Sequence, residues 1–112
     1  MGGFMAMTVA ESRLVGLAGE MREAVDRTGL WVHRKLAHGL ELVMQRKEGR
    51  WRLAMGREMV YPSDAEVEVC RDAFAVPAGA EQERLMRMRK HAKTGRTITY
   101  YVVEVTWREA GK

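Results

Sequence analysis

The sequence predicts an α+β fold: a mainly antiparallel four-stranded sheet made of two hairpins, with two helices on one face, in the order αββαββ. Two segments open with helix-capping signals and then repeat their apolar residues at helical spacing. Two further pairs of segments alternate apolar and polar residues around short turns, as β-hairpins do. Both hairpins place their apolar residues on a single face, which the helices are expected to cover. At 112 residues, the chain is expected to form one domain spanning residues 1–112.

The first helix is predicted over residues 9–28. Thr8 and Glu11 have the spacing of a capping box, in which each side chain bonds to the backbone of the other residue. Gly29 stands where a left-handed residue commonly ends a helix. Apolar residues recur every three or four positions and form one stripe: Leu14, Leu17, Ala18, Met21 and Val25. We expect this stripe to pack against the sheet.

The first hairpin is the clearest local feature of the sequence, whereas residues 30–38 before it are compatible with either a strand or an extended connector. A two-residue turn at Glu48 and Gly49 puts three pairs on one face: Leu42 with Met55, Met44 with Leu53, and Arg46 with Trp51. In this register the guanidinium of Arg46 can lie on the ring of Trp51. The other face receives Glu41, Val43, Gln45, Lys47, Arg50, Arg52 and Ala54.

The second helix is predicted over residues 64–75. Ser63 is placed as the N-cap, Glu66 closes a capping box, and Pro77 follows the helix end. The apolar seam of this helix consists of Val67, Cys70 and Phe74. Because its cysteine lies on that buried seam, we interpret it as a small core residue rather than a nucleophile.

Residues 83–92 fit either a basic helix or a strand, and the strand is favoured. The strand over 97–107 is rich in β-branched and aromatic residues. A turn at Thr94 and Gly95 would pair Met88 with Tyr101, Met86 with Val103 and Arg84 with Val105. That register sorts both strands into an apolar and a polar face at once, which a helix over 83–92 would not do.

Charge alternates along the chain in blocks that follow the predicted elements. Residues 1–29 carry a net charge of −1, residues 30–60 carry +4, residues 61–83 carry −5 and residues 84–112 carry +6. Acidic residues therefore concentrate on the helices and basic residues on the strands. The modest overall charge of +4 hides this segregation, and the segregation predicts one electropositive surface, which bears on binding partners more than on the fold.

The polar face of the sheet is the best candidate for a functional site. Open basic sheets with aromatic residues can bind nucleic acid, because guanidinium groups hold phosphates and aromatic rings can stack on unpaired bases. The expected nucleic-acid-binding residues are Lys47, Arg50, Arg52, Arg87, Arg89, Lys90 and Tyr100. We expect an accessory or regulatory module that binds DNA or RNA without sequence specificity, since no recognition-helix motif is present. The alternatives are a protein–protein adaptor, a homodimer, or a solvated face whose charges prevent aggregation.

No catalytic or metal-binding motif is found in the sequence. His33 and His38 are five residues apart, which suits neither one face of a helix nor one face of a strand. Asp64, Glu68 and Asp72 share a helix face, but carboxylates at a helix start usually serve the helix dipole. No glycine-rich phosphate loop occurs. We therefore expect no enzyme activity, no metal and no cofactor.

The composition indicates in which cellular compartment the protein is expected. A single cysteine excludes an intramolecular disulfide. No apolar run approaches the roughly 18 residues that span a bilayer, and the first ten residues lack the basic and apolar regions of a signal peptide. A cytoplasmic protein with no membrane partner is the resulting expectation.

Overall fold

The structure is a computed structural model that describes the backbone of residues 9–109 and the side chains of residues 13–109. It confirms the α+β class. The elements in chain order are α1 (Val9–Thr28), β1 (Val32–Lys35), β2 (Glu41–Lys47), β3 (Arg50–Glu58), α2 (Asp64–Ala73), β4 (Glu81–Lys90) and β5 (Thr97–Arg108). The strands form one antiparallel sheet in the order β1-β2-β3-β5-β4. The sheet therefore has five strands rather than four.

The bounds of α1 agree with the predicted helix. Gly29 follows it with a φ of 72°, and its N–H donates to the carbonyl of Val25 at 2.8 Å, as in a left-handed C-terminal cap. Ala18, Met21 and Val25 of the apolar stripe are buried, with Leu14 and Leu17 packed beside them. The capping box expected at Thr8 and Glu11 lies outside the residues whose side chains are described.

The additional strand is β1, in the segment that the sequence left open. It pairs with β2 through Val32–Met44 and Lys35–Glu41. A short 3₁₀ turn over Ala37–Gly39 then reverses the chain. A four-residue strand at a sheet edge has too few positions for alternation to reveal it, and its identity depends on the neighbouring strand.

The predicted β2–β3 hairpin is confirmed in every pair. Leu42 lies opposite Met55, Met44 opposite Leu53, and Arg46 opposite Trp51. Both turn residues have positive φ, at 54° for Glu48 and 77° for Gly49, as a type I′ turn requires. The guanidinium carbon of Arg46 lies 5.1 Å from the centroid of the Trp51 ring, which confirms the expected cation–π contact.

The second helix, α2, begins with the predicted capping box. The N–H of Glu66 donates to Ser63 Oγ at 3.1 Å, and the N–H of Ser63 donates to Glu66 Oε1 at 2.8 Å. The helix ends at Ala73, two residues before the predicted end, because Ala75 adopts a left-handed φ of 54° that a helix cannot contain.

The β4–β5 hairpin is confirmed as a pair of strands, but the predicted register is wrong by two residues. Met86 lies opposite Tyr101 rather than Val103. Six residues join the strands rather than a two-residue turn. The N–H of His91 donates to the carbonyl of Arg96 at 2.7 Å, which closes a four-residue loop over 92–95. Since a shift of two residues preserves the alternation, each side chain still lies on its predicted face.

Both helices cover one face of the sheet, which we call the helix-side face; the other is the open face. The helix-side face supplies most of the buried core, including Leu42, Met44, Leu53, Met55, Val103 and Val105. The predicted core residues of α2, Val67, Cys70 and Phe74, are buried against it. Trp51 is also buried, whereas Trp107 is half-buried and stacks on Trp51 with ring centroids 6.4 Å apart. No helix in the described part of the chain is long and apolar enough to cross a membrane.

Candidate nucleic-acid interface

The open face contains a shallow depression with an apolar floor. Its floor is formed by Val43, Ala54, Gly56 and Val102, which lie on three neighbouring strands. Ala54 and Val102 are only 7% and 6% exposed, although no helix covers this face. A Cβ added at Gly56 would lie 3.3 Å from Val102 Cγ2, so the glycine contributes to the depth of the floor. The volume of about 220 Å³ suits one planar ring rather than a drug-sized ligand.

Two aromatic side chains border this depression. Tyr100 lies on β5, and the guanidinium carbon of Arg89 is 4.3 Å from its ring centroid. Trp31, immediately before β1, is 60% exposed and also lines the depression. An exposed tryptophan beside an arginine-stacked tyrosine offers two π surfaces to a planar ligand.

The carboxylate of Glu104 on β5 lies between two arginines of the depression. Its Oε2 accepts from Arg52 Nε and, at 3.3 Å, from Arg87 Nη2. Arg52 also donates through Nη1 to Gln45 Oε1 at 2.9 Å. These contacts place both guanidinium groups beside the carboxylate of Glu104 at the border of the depression.

A second carboxylate, that of Glu41 on β2, is shared in the same way. Its Oε1 lies 2.7 Å from His33 Nε2 and 3.5 Å from Arg89 Nη2. The three arginines around the depression thus face two carboxylates, which leaves a net charge of +1 with the histidine neutral. The basic face expected from the sequence is therefore partly neutralised, because its acidic members lie among its basic ones.

A second cavity of about 270 Å³ continues the depression toward the β4–β5 loop. The two cavities share His33, Glu41, Arg89 and Tyr100 in their lining. The second one adds Lys35 at the end of β1, together with Lys90 and His91. Together they form one groove along the open face, which we call the open-face groove, with its most basic part at the loop end.

The structure brings four of the seven predicted site residues together around the depression: Arg52, Arg87, Arg89 and Tyr100. By strand alternation Lys90 belongs to the helix-side face, but it lies at the strand end and lines the second cavity.

The two remaining predicted site residues, Lys47 and Arg50, lie at the opposite end of the sheet. Arg50 is opposite Arg108 of β5, whereas Arg89 is opposite Ile98. Ten strand residues, about 30 Å, therefore separate Arg50 from Arg89 at the loop end of the groove, whereas only two residues of β3 separate Arg50 from Arg52. Arg50 Nη2 also lies 3.5 Å from Glu81 Oε1.

Three groove residues, Trp31, His33 and Lys35, were missed by sequence reasoning because β1 was not assigned as a strand. The alternation of His33 and Lys35 was the available signal, but a four-residue stretch is too short for it to stand out. Within the described residues 13–109, no group of three or more His, Cys, Asp or Glu side chains is placed to hold a metal ion.

Comparison with known proteins does not identify a relative: no protein-family model, curated protein or solved structure matches the chain. The open-face groove itself therefore carries the functional argument. It combines guanidinium groups paired with carboxylates, an exposed tryptophan, a half-buried tyrosine and an apolar floor of single-ring size.

Proposed function

We propose that the protein is a small nucleic-acid-binding module, accessory or regulatory and without catalytic activity, that holds single-stranded DNA or RNA in the open-face groove. The observation that carries this proposal is the stack of Arg89 on Tyr100 beside an apolar depression of single-ring size. A guanidinium next to an aromatic ring can hold a phosphate while the ring stacks on the adjacent base.

Base stacking supplies the sequence-tolerant part of the binding. Each base stacked on an aromatic side chain contributes about 1–3 kcal/mol, whichever base it is. Tyr100 and Trp31 both line the depression, so a base that enters it can stack on an aromatic ring. The apolar floor of Val102 and Ala54 offers no hydrogen-bond donor or acceptor to distinguish bases.

Phosphate contacts supply the electrostatic part. Arg89, Lys35 and Lys90 line the loop end of the groove, where the backbone of a bound strand would continue. Each phosphate neutralised by a basic side chain releases condensed counterions, so the affinity falls with salt.

A single strand fits this surface better than a duplex. An unpaired base can leave its strand and enter the depression, whereas a base inside a duplex is stacked and inaccessible. The shorter helix, α2, carries Asp64 and Glu66 in its first turn, which disfavours insertion into a DNA groove.

Fluorescence anisotropy tests the proposal with short single-stranded and duplex oligonucleotides of DNA and RNA at two salt concentrations. The expected result is tighter binding to single strands than to duplexes, with an affinity that falls as salt rises. Absence of any binding tighter than about 100 μM at low salt would contradict the proposal, because even non-specific binders reach that affinity. Equal affinity for duplexes would contradict the role of the depression.

A further inference from the structure

The strand β4 forms an open edge of the sheet. It is the last strand in the sheet order and pairs, among the described residues, only with β5. All of its ten residues are exposed except Leu85, which is half-buried. Natural sheets usually shield such an edge, because its free backbone groups can pair with another strand.

The hydrogen-bonding direction of β4 is fixed by its loop. The N–H of His91 donates to Arg96 across the hairpin, so the odd-numbered residues of β4 bond toward β5 by strand alternation. The N–H and C=O groups of the even-numbered residues therefore point away from the sheet. These are Gln82, Arg84, Met86, Met88 and Lys90.

The side chains that β4 places on the open face are arranged in a self-complementary order. From the beginning to the end of the strand they are Glu81, Glu83, Leu85, Arg87 and Arg89. A second copy running antiparallel, with its own Leu85 opposite this one, brings every glutamate opposite an arginine. Glu81 then faces Arg89 of the second copy, and Glu83 faces Arg87.

We propose that the protein forms a homodimer by antiparallel pairing of β4 with β4 of a second copy about a two-fold axis at Leu85. The two five-stranded sheets then become one continuous ten-stranded sheet. Arg84 and Met86 exchange backbone hydrogen bonds across the axis, and Gln82 and Met88 do the same one step further out. Leu85 forms a non-hydrogen-bonded pair with Leu85 of the second copy, and in such pairs the two side chains lie closest.

The charge order selects this register over its neighbours. A two-fold axis perpendicular to the sheet keeps the open faces of both copies on the same side. The nearest alternative registers place this axis one residue along β4, at Arg84 or at Met86. Centring on Arg84 places that arginine opposite itself, which is destabilising. Centring on Met86 places Leu85 opposite Arg87 and leaves Glu83–Arg89 as the only pair of opposite charges within β4.

The helix-side face of β4 gives an independent reason for a partner. Met86 and Met88 are 64% and 71% exposed there, beyond the area that the helices cover. In the proposed register they lie opposite Arg84 and Gln82 of the second copy, whose aliphatic stems can cover them. The dimer does not depend on nucleic acid, and it supplies each of Arg87 and Arg89 with an additional carboxylate.

Cysteine cross-linking tests the register directly. Leu85→Cys should form an intermolecular disulfide under mild oxidation and double the 12.8 kDa mass, because a non-hydrogen-bonded pair has a Cα separation that a disulfide can bridge. Glu83→Cys and Arg87→Cys should each stay uncross-linked alone and cross-link when mixed. The wild-type chain is the control, since its only cysteine, Cys70, is 2% exposed. Cross-linking by Met86→Cys in place of Leu85→Cys would overturn the register.

Charge reversal tests the dimer without cysteines. Light scattering on the native chain should give a dimer at low salt. The double variants Glu81→Arg/Glu83→Arg and Arg87→Glu/Arg89→Glu should each raise the dissociation constant of the dimer about tenfold or more. Mixing the two variants should restore a dimer, which also shows that both are folded. The matched control, Glu23→Arg/Glu68→Arg on the helices, should remain dimeric. A native chain of 12.8 kDa at every concentration would overturn the proposal.

Discussion

Arg57 on β3 and Glu66 in the first turn of α2 form a bidentate ion pair that fastens the second helix to the sheet. Arg57 Nη1 donates to Glu66 Oε1 at 2.7 Å, and Nη2 donates to Oε2. Arg57 Nε also donates to the carbonyl of His38 at 3.0 Å, which adds the 3₁₀ turn to the same contact. Because Glu66 also closes the capping box with Ser63, the Arg57–Glu66 pair joins β3, the start of α2 and the 3₁₀ turn.

This ion pair predicts a loss of stability in acid. The hydrogen bond from Arg57, aided by Ser63, lowers the pKa of Glu66 from its ordinary 4.5 to about 2. A lowered pKa in the folded state stabilises the fold above pH 4.5, and that contribution is lost as the pH falls toward 2. The melting temperature should fall more steeply across this pH range for the native chain than for Glu66→Gln. Glu68→Gln on the same helix is the control and should decline like the native chain.

The depth of the depression predicts the effect of Gly56→Ala. The added methyl group lies 3.3 Å from Val102 Cγ2 and raises the floor where the base would enter. Single-stranded oligonucleotide binding should weaken about three- to tenfold, while the slope of log affinity against log salt stays unchanged, because no charge is removed. Gly79→Ala, where an added Cβ meets nothing within 4 Å, is the matched control. An unchanged affinity in Gly56→Ala would contradict base insertion at this point.

The aromatic ring of Tyr100 should matter for binding, and its hydroxyl should not. Tyr100→Ala should cost about 1–3 kcal/mol of binding free energy, whereas Tyr100→Phe retains the stacking surface and should bind within about twofold of the native chain. Anisotropy titrations measure both. If the two variants lose equal affinity, the hydroxyl carries the interaction and the stacking account is wrong.

Salt dependence should separate the groove from the far end of the sheet. Arg89→Ala should lower the salt slope by about one unit for any single-stranded oligonucleotide, because a groove phosphate loses its contact. Lys47→Ala and Arg50→Ala should affect only oligonucleotides long enough to run from Arg89 at the loop end of the groove past Arg52 to Arg50, roughly 30 Å from Arg89. Arg27→Ala on α1 removes an equal charge outside the groove and should leave the slope unchanged. Equal changes in the salt slope from all four variants would indicate diffuse charge attraction and would contradict binding in the groove.

Local sequence signals predicted the elements whose pairing depends on a short turn. The β2–β3 register follows from Glu48 and Gly49, since both adopt the left-handed conformation that the turn needs. The β4–β5 register does not follow, because Gly95 is the last residue of a four-residue loop and not of a two-residue turn. The faces were still predicted correctly, since the error was an even number of residues.

The candidate site was predictable only in part, because its charge pairing is long-range. Alternation places Arg52 and Glu104 on the open face, but only the adjacency of β3 and β5 makes them partners. Hairpin patterns define neighbours within a hairpin and not between hairpins. Residues that join the groove from β1, such as His33, depend on the pairing of β1 with β2, which a strand of four residues does not reveal in the sequence.

Photo-cross-linking of a single-stranded oligonucleotide carrying one 5-iodouracil tests the central claim most directly, since this base reacts with aromatic side chains on which it stacks. Peptide mapping by mass spectrometry should locate the cross-link at Tyr100 or Trp31, the two aromatic residues that line the depression. The cross-link should disappear in the double variant Trp31→Ala/Tyr100→Ala. Cross-links only at Trp107 or Tyr61, which lie outside the open-face groove, or none at saturating oligonucleotide, would contradict nucleic-acid binding in this groove.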